Sequence, residues 1–161
     1  MKLVIQHFFL FGGNMEKLLV SGCLLGNNTK YNGGNNYIPL IEKIKEKYEI
    51  FVICPESMGG LTIPRNPSEI RLNTDLVFSL TGLDVTHQFN KGAETALKIA
   101  IDNNIKLALL KESSPSCGVN KIYDGTFSGN KIAGMGITTR LLTQNGIKCY
   151  SENEIEILLN R

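Results

Sequence analysis

The chain has 161 residues, of which 42% are hydrophobic and 20% charged, and this composition is typical of one globular domain with a substantial core. A net charge of +2, with lysines and arginines dispersed among acids, does not favour a nucleic acid or a membrane as partner, so we expect a small molecule. Four cysteines without a convincing export signal indicate reduced thiols and a cytoplasmic location instead of a disulfide-stapled secreted scaffold.

The first 14 residues are interpreted as an N-terminal extension. They include the apolar run 8–11, but the stretch is too short to span a bilayer and has no small-residue cleavage site. Met15 precedes the first predicted strand and resembles a natural start, so we expect residues 1–14 to be a misassigned start or a cloning remnant. A single domain is expected over residues 15–161.

The first half of the chain alternates strand, loop and helix. The apolar run 18–20 predicts a strand that ends at Ser21-Gly22-Cys23, followed to residue 36 by a Gly- and Asn-rich loop that could wrap a ligand or an anion. Apolar residues at helical spacing predict a helix over 37–48. A second strand over 49–53 then leads directly into Cys54-Pro55-Glu56.

Residues 55–69 are predicted to form a rigid irregular loop, because prolines 55, 64 and 67 fix the backbone. Arg65 lies between two of these prolines and is therefore held in place. A salt bridge to a nearby acid and a contact to substrate are equally supported for its side chain. Gly59 and Gly60 would let a flat ring approach the backbone closely.

Further along, residues 70–83 predict a small β excursion or an edge hairpin, and Asp84 or Thr86 is expected to cap a long helix that closes at 103–104. The apolar run 107–110 is a predicted buried strand that breaks into a loop with Ser114, Ser116 and Cys117. The repeated β-α-β order predicts a parallel sheet with right-handed crossovers.

The last third supplies a Gly-rich segment and the end of the fold. Asp124-Gly125 suggests a tight turn, with a mobile lid as the alternative, and could also admit a flat ring. A helix over 137–145 ends at Gly146, a strand over 147–150 holds Cys149 as a core residue, and Ser151 with Glu154 forms a capping box for the last helix. The predicted fold is α/β: one Rossmann-like three-layer domain with a mostly parallel sheet of about four strands.

Three of the four cysteines, Cys23, Cys54 and Cys117, end an apolar strand and open a loop. Ligands bind at the carboxyl ends of the strands in open α/β sheets. These thiols could be buried by chance, bind zinc with an open fourth position, or hold an iron–sulfur cluster with one iron lacking a protein ligand. Their spacing alone supports zinc and a cluster about equally.

A set of ordered motifs resembles a bacterial family long catalogued only as a domain of unknown function, some of whose members are thiouracil desulfidases. The resemblance covers residues 15–161 and rests on Ser21-Gly22-Cys23-Leu24-Leu25-Gly26, Tyr31-Asn32-Gly33, Cys54-Pro55-Glu56, Gly59-Gly60-Leu61, Pro64-Arg65-x-Pro67-x-Glu69-Ile70, Gly82-x-Asp84-Val85-Thr86, Ser114-Pro115-Ser116-Cys117-Gly118 and Tyr123-Asp124-Gly125-Thr126-Phe127-Ser128-Gly129. Where relatives commonly have a further cysteine and an arginine, this chain has Thr29-Lys30.

The resemblance implies a [4Fe-4S] cluster bound by Cys23, Cys54 and Cys117, with the fourth iron free to bind the sulfur of a thiolated pyrimidine. The implied reaction is the non-redox conversion of a 2-thiouracil-like base to the oxo base with release of hydrogen sulfide. The family's catalytic carboxylate falls on Glu56, and its catalytic serine falls on Ser114, with Ser116 as the rival.

Substrate contacts are expected from Ser116, Gly59, Gly60, Arg65 and Asp124. The partner would be a thiolated nucleobase, and the protein a monomer or small homo-oligomer. The alternatives are a zinc-binding hydrolase or structural metal protein, a non-enzymatic iron–sulfur sensor or sulfur-handling protein, and a cofactor-free binding module.

Overall fold

A computed structural model describes residues 13–161, so most of the predicted N-terminal extension lies outside the described residues. Two short 3-10 turns, Gly22–Leu25 and Glu152–Glu154, accompany the helices and strands. In chain order the elements are β1 (Glu16–Ser21), α1 (Ile41–Lys47), β2 (Tyr48–Ile53), α2 (Pro55–Met58), β3 (Ser68–Ile70), β4 (Val77–Ser79), α3 (Thr86–Asp102), β5 (Leu107–Leu110), β6 (Lys121–Tyr123), β7 (Lys131–Ala133), α4 (Ile137–Gln144), β8 (Lys148–Ser151) and α5 (Ile155–Leu159).

The central element is a four-stranded sheet in the order β2-β1-β5-β8, and each neighbouring pair is parallel. Its inner strands are apolar on both faces, as expected when helices cover both sides. Leu18 and Val20 of β1 face one core cluster, while Leu19 faces the other. The predicted mostly parallel sheet of about four strands is therefore confirmed.

Helices cover both faces of this sheet. On one face, α1 and α5 contribute Ile41, Ile44 and Leu158 to the first cluster. On the other, α3 contributes Ala96 and α4 contributes Leu142. The arrangement is a three-layer α/β/α domain, as predicted. Within residues 13–161, no helix is long and apolar enough to cross a membrane.

Two antiparallel ribbons lie outside the main sheet. Strands β3 and β4 pair over residues 68–70 and 77–79 in a sheet of their own, so of the two predicted alternatives the small β excursion is confirmed. Strands β6 and β7 form the second ribbon. Seven residues, 124–130, connect its strands, so the tight turn predicted at Asp124-Gly125 is wrong: the Asp124 carboxylate instead accepts hydrogen bonds from the backbone and hydroxyl of Thr126 within a longer loop.

Several other boundaries differ from the predictions. The first helix begins at Ile41, not at residue 37, because residues around Pro39 form a turn, and Tyr48 is extended and starts β2. The segment 55–69 includes the short helix α2, for which Pro55 is a favourable first residue. The cap position of α3 is Val85, but the Asp84 carboxylate accepts a hydrogen bond from the backbone N–H of Thr86, the first residue of the helix, at 2.9 Å.

The end of the chain follows the predictions more closely. The capping box of Ser151 and Glu154 is present, although it opens a 3-10 turn that runs into α5. Gly146 has a φ of 79° just after α4, as predicted for that position. Cys149 lies half-buried in β8 against the second core cluster, in agreement with its predicted role.

Candidate functional site

A cavity of about 500 Å³ opens at the carboxyl ends of β1, β2 and β5. Its size is typical of pockets for small organic ligands. Cys23, Cys54 and Cys117 all line it, because each follows one of these three strands. The structure thus brings together the three cysteines that the strand pattern singled out.

Cys117 is the most enclosed of the three thiols, with only 5% of the residue exposed. Burial raises its pKa strongly, and the charges of the other two cysteines and of Glu56 act in the same direction, while a hydrogen bond with the Ser21 side chain lowers it. Ser21 is itself buried at the end of β1 and accepts a hydrogen bond from the backbone N–H of Lys111. Ser21 therefore links the end of β1 to the thiol of Cys117, in the loop that follows β5.

The other two thiols also have polar neighbours. Burial raises the pKa of Cys23, and a hydrogen bond with the Asn36 side chain lowers it. Cys54 Sγ donates to Ser57 Oγ at 3.3 Å and lies 3.9 Å from the carbonyl oxygen of Thr29. Hydrogen bonds to ligand sulfurs are a means by which proteins tune iron–sulfur clusters.

The donor set consists of three cysteine thiols that line one cavity, and this set fits an iron–sulfur cluster. Soft thiolates are also the ligands that iron–sulfur clusters prefer.

Thr29 supplies a second observation that a ligand would satisfy. Its hydroxyl Oγ1 is buried and has no hydrogen-bond partner among the described residues, although Thr29 lines the cavity. A buried hydroxyl without a partner costs free energy, so an acceptor in the cavity would stabilise it. This is the position at which relatives were expected to have a cysteine.

Glu56 lies in α2, two residues after Cys54, and forms an ion pair with Arg65. Arg65 Nε donates to Glu56 Oε2 at 2.7 Å, and both side chains are mostly buried. Arg65 also donates to the carbonyl oxygens of Thr29 and Thr62. The structure therefore shows the salt bridge that was one of the two interpretations of Arg65. Among the described residues, Oε1 of Glu56 has no hydrogen-bond partner.

The two candidate serines have different surroundings. Ser114 Oγ accepts hydrogen bonds from the backbone N–H groups of Ser116 and Cys117, both at 3.1 Å, so its own proton remains available to another acceptor. Ser116 is 1% exposed, and its hydroxyl lies 2.8 Å from that of Thr138 in α4. Both residues line the cavity, but the hydroxyl of Ser116 already has a hydrogen-bond partner, Thr138.

Three residues expected to contact substrate lie elsewhere. Gly59 packs against α3, where a Cβ would come 1.9 Å from the carbonyl oxygen of Gln88, so this glycine permits helix packing. Gly60 has a φ of 98° in the turn after α2. Asp124 bonds to Thr126 in its own loop. The structure does not bring these three into the set of residues that line the cavity.

Glu112, which the sequence patterns do not single out as a site residue, organises the loop around Cys117. This residue is 8% exposed, and its Oε1 accepts from the backbone N–H groups of Ser113, Val119, Asn120 and Lys121 at 2.9–3.1 Å. No local signal identifies such a carboxylate, because most of its partners follow it by seven to nine residues.

Lys111 directly follows β5 and precedes Glu112. It lines the cavity and forms an ion pair with Glu152. The second oxygen of Glu152 accepts a hydrogen bond from the backbone N–H of Glu112 at 2.7 Å. The start of the cysteine loop is thereby tied to the turn that follows β8.

Fold and site together define an α/β protein whose ligand cavity is lined by three cysteine thiols at the carboxyl ends of parallel strands. The chain belongs to the 2-thiouracil desulfurase family, whose model matches residues 18–154. The family assignment made from the motifs is confirmed.

Two relatives are similar over most of their length. The uncharacterized protein YbbK of Bacillus subtilis (strain 168) is 41% identical over 150 residues, covering 88% of this chain and 99% of that protein. A solved structure described as the [4Fe-4S]-dependent thiouracil desulfidase TudS superposes with a TM-score of 0.84 at 42% identity, covering 89% of this chain and 95% of the other.

Proposed function

We propose that this protein removes sulfur from a thiolated pyrimidine such as 2-thiouracil, using a [4Fe-4S] cluster held by Cys23, Cys54 and Cys117 with one iron free of protein ligands. The observation that carries the proposal is the convergence of these three thiols on one cavity with Glu56 and Ser114. The likeness to TudS supports the same conclusion. We assign the activity to a single domain over residues 15–161.

The cluster, when bound, would supply a Lewis-acidic iron for the sulfur atom of the substrate. The reaction needs no oxidant or reductant, because water supplies the oxygen of the product base and the two protons of hydrogen sulfide. The chain must therefore activate one water molecule next to the ring carbon and keep bulk water away from the site.

Glu56 is the proposed general base. Its Oε2 is held by Arg65, which fixes the carboxylate, and its Oε1 is left to accept a proton from the attacking water. General-base assistance is typically worth about 10²–10⁴ in rate. Ser114 is proposed to hydrogen-bond the substrate with its remaining proton, since two backbone N–H groups occupy its oxygen.

A zinc hydrolase would use the same three thiols as ligands, so metal analysis is needed to separate it from a cluster enzyme. A cluster-binding sensor without turnover shares the proposed ligands, so the experiment must measure both metal content and product.

The test is anaerobic purification, with iron and sulfide quantified, followed by visible spectra and product analysis with 2-thiouracil. We expect about four irons per chain, a brown protein whose spectrum changes on adding the base, and formation of uracil and sulfide. Zinc or no metal after reconstitution would overturn the cluster assignment. A full cluster with no product would overturn the enzymatic assignment.

Cysteine variants provide a matched comparison. Cys54→Ala should lose both cluster and turnover, whereas Cys149→Ala should keep both, because Cys149 lies in β8 and does not line the cavity. Glu56→Gln should keep the cluster and lower turnover by about 10²–10⁴. Full turnover in the Glu56→Gln variant would exclude this residue as the base.

A further inference from the structure

Three aromatic residues line the cavity: Tyr31, Tyr123 and Phe127. A lysine lies over each tyrosine ring: Lys30 is 5.7 Å from the centroid of Tyr31, and Lys131 is 5.2 Å from that of Tyr123. Within the described part of the chain, no cation lies over Phe127.

Phe127 also has no part in the core. The residue is half-buried, but none of the three apolar clusters in residues 13–161 includes it. A large aromatic side chain usually contributes to stability by filling a core. The placement of Phe127 on a cavity wall therefore indicates a contact with something that enters the cavity.

The backbone at Phe127 is in an unfavourable conformation for this residue type. Its φ is 56°, in the left-handed region, where bulky side chains are rare and glycine is favoured. Residues kept in this region cost free energy and cluster at ligand sites. Glycine would relieve the strain here, but it would remove the ring from the cavity wall.

Glu69 holds this strained loop from a distant part of the chain. The residue is 8% exposed at β3, and its Oε2 accepts hydrogen bonds from the backbone N–H groups of Gly125 at 2.9 Å and Phe127 at 3.0 Å. No ion pair to Glu69 is found in residues 13–161. Burying a carboxylate without a cation is costly, so its hydrogen bonds to the loop must offset that cost.

Gly125 brings the same loop into close contact with β3. A Cβ at this position would lie 2.7 Å from the carbonyl oxygen of Ile70, and its φ is 89°. Only glycine allows this approach of two backbones. The loop is thus fixed by packing at Gly125 and by the Glu69 carboxylate on either side of Thr126.

We infer that Phe127 is a substrate-contacting residue that stacks on the flat ring of the base, and that Glu69 is a positioning residue that holds Phe127 against the cavity. The inference rests on the proposed function, because it takes a planar pyrimidine as the ligand. It explains why the motif ending in Glu69-Ile70 and the motif containing Phe127 occur in the same chain.

The test compares Phe127→Gly, Phe127→Leu and Phe127→Tyr in the cluster-bearing protein. Calorimetry measures the affinity for uracil and 2-thiouracil, and steady-state kinetics measure kcat and KM. Stacking on an aromatic ring is sequence-tolerant and substantial, so Phe127→Gly and Phe127→Leu should weaken binding about tenfold. Phe127→Tyr keeps an aromatic ring at this position, so its affinity for both bases should be close to that of the wild type.

Thermal unfolding separates a substrate contact from a structural role. If Phe127 contacts substrate, Phe127→Gly should raise KM, change kcat by less than about twofold and leave the melting temperature unlowered, because glycine relieves the positive φ. Unchanged affinity in Phe127→Gly, or a lowered melting temperature together with lost affinity, would overturn the inference.

A double-mutant cycle tests whether Glu69 acts through Phe127. Glu69→Ala alone should raise KM about as much as Phe127→Gly, and it should add little in the Phe127→Gly background. Additive effects would show that Glu69 has a separate role and would overturn its assignment.

These results also separate the inference from the proposed function. A wild-type protein that binds uracil through Phe127 but releases no sulfide would retain the inference and contradict the desulfidase activity. Turnover of 2-thiouracil with a KM that does not change on substituting Phe127 would support the desulfidase activity and contradict the inference. A wild-type protein that binds neither base would contradict the inference directly.

Discussion

Replacing Glu112 by glutamine is expected to loosen the loop that holds Cys117 and Ser114. Four backbone N–H groups converge on Glu112 Oε1, and the Asn120 side chain donates to Oε2 at 3.0 Å. Hydrogen bonds to a charged acceptor are roughly twice as strong as those to a neutral one. A glutamine keeps the shape of the side chain but removes the charge that these donors share.

The pKa of Glu112 indicates how much the folded protein stabilises that charge. Burial raises the pKa of Glu112. Hydrogen bonds lower it by more than burial raises it, and they come from the backbone N–H groups of Lys121, Asn120 and Ser113 and from the Asn120 side chain. The resulting pKa is about 2, against an ordinary 4.5. The difference corresponds to about 3 kcal/mol, which solvent screening at the cavity wall reduces to about 2 kcal/mol.

The sign of the pH dependence follows from the lowered pKa. Because the folded state binds the proton less tightly than the unfolded state, the stabilisation is complete above pH 4.5 and is lost as the pH falls towards 2. We therefore expect Glu112→Gln to lower the free energy of unfolding by about 2 kcal/mol at pH 7 and by less than half of that at pH 3.

Urea denaturation followed by circular dichroism measures this difference, on chelator-treated protein so that acid loss of a bound cluster does not contribute. The exposed Glu94 of α3 provides the control, since Glu94→Gln should leave the free energy of unfolding nearly unchanged at both pH values. An equal loss of stability at pH 7 and pH 3 in Glu112→Gln would refute the argument from charge, and no loss at either pH would refute the role of Glu112 in holding the loop.

Four further substitutions test the packing of α2 and three residues that line the cavity. Gly59→Ala should destabilise the protein by about 2–3 kcal/mol in thermal unfolding, because a Cβ would lie 1.9 Å from a carbonyl oxygen of α3, whereas Gly13→Ala meets nothing within 4 Å and should be neutral. Ser114→Ala should lower kcat by about 10²-fold, and Ser116→Ala should change stability more than kcat; the reverse ranking would make Ser116 the catalytic serine. Arg65→Gln should reduce kcat with an intact cluster spectrum, and wild-type kcat would show that Glu56 needs no partner to hold it.

The sheet could be predicted because its signal is local. Runs such as 107–110 are apolar throughout, which identifies buried strands, and the cysteine after each run then falls at the ligand-binding edge. The start of α1 could not be placed from the sequence. The turn around Pro39, which precedes the helix, has apolar residues at the same spacing as the helix itself. Tyr48 fits the helical pattern equally well, yet its hydroxyl donates to the carbonyl oxygen of Leu158, so tertiary contact assigns it to β2.

The site was predictable only where one residue type has one chemical use. Cysteines at strand ends fall in this class, and the structure gathers them in one cavity. Glycines have more than one use. The absence of a side chain at Gly59 could allow close approach of a ligand or close packing of a helix, and only the position of α3 shows that the helix is the reason. Glu69 and Phe127 are 58 residues apart, so their contact is invisible until the loop is folded onto β3.

Three carboxylates line the cavity, and their hydrogen bonds and positions indicate which one is available for chemistry. Glu112 uses both oxygens to hold its loop, whereas Glu69 is held through Oε2 alone, by the two backbone N–H groups of the loop that contains Phe127. Glu56 is held only by Arg65, and its charge is close enough to Cys117 to raise the pKa of that thiol. A general base must be fixed in place and still have a free oxygen near the reacting group. Glu56 meets these requirements beside the thiols, which supports its assignment on grounds independent of its position in the motif.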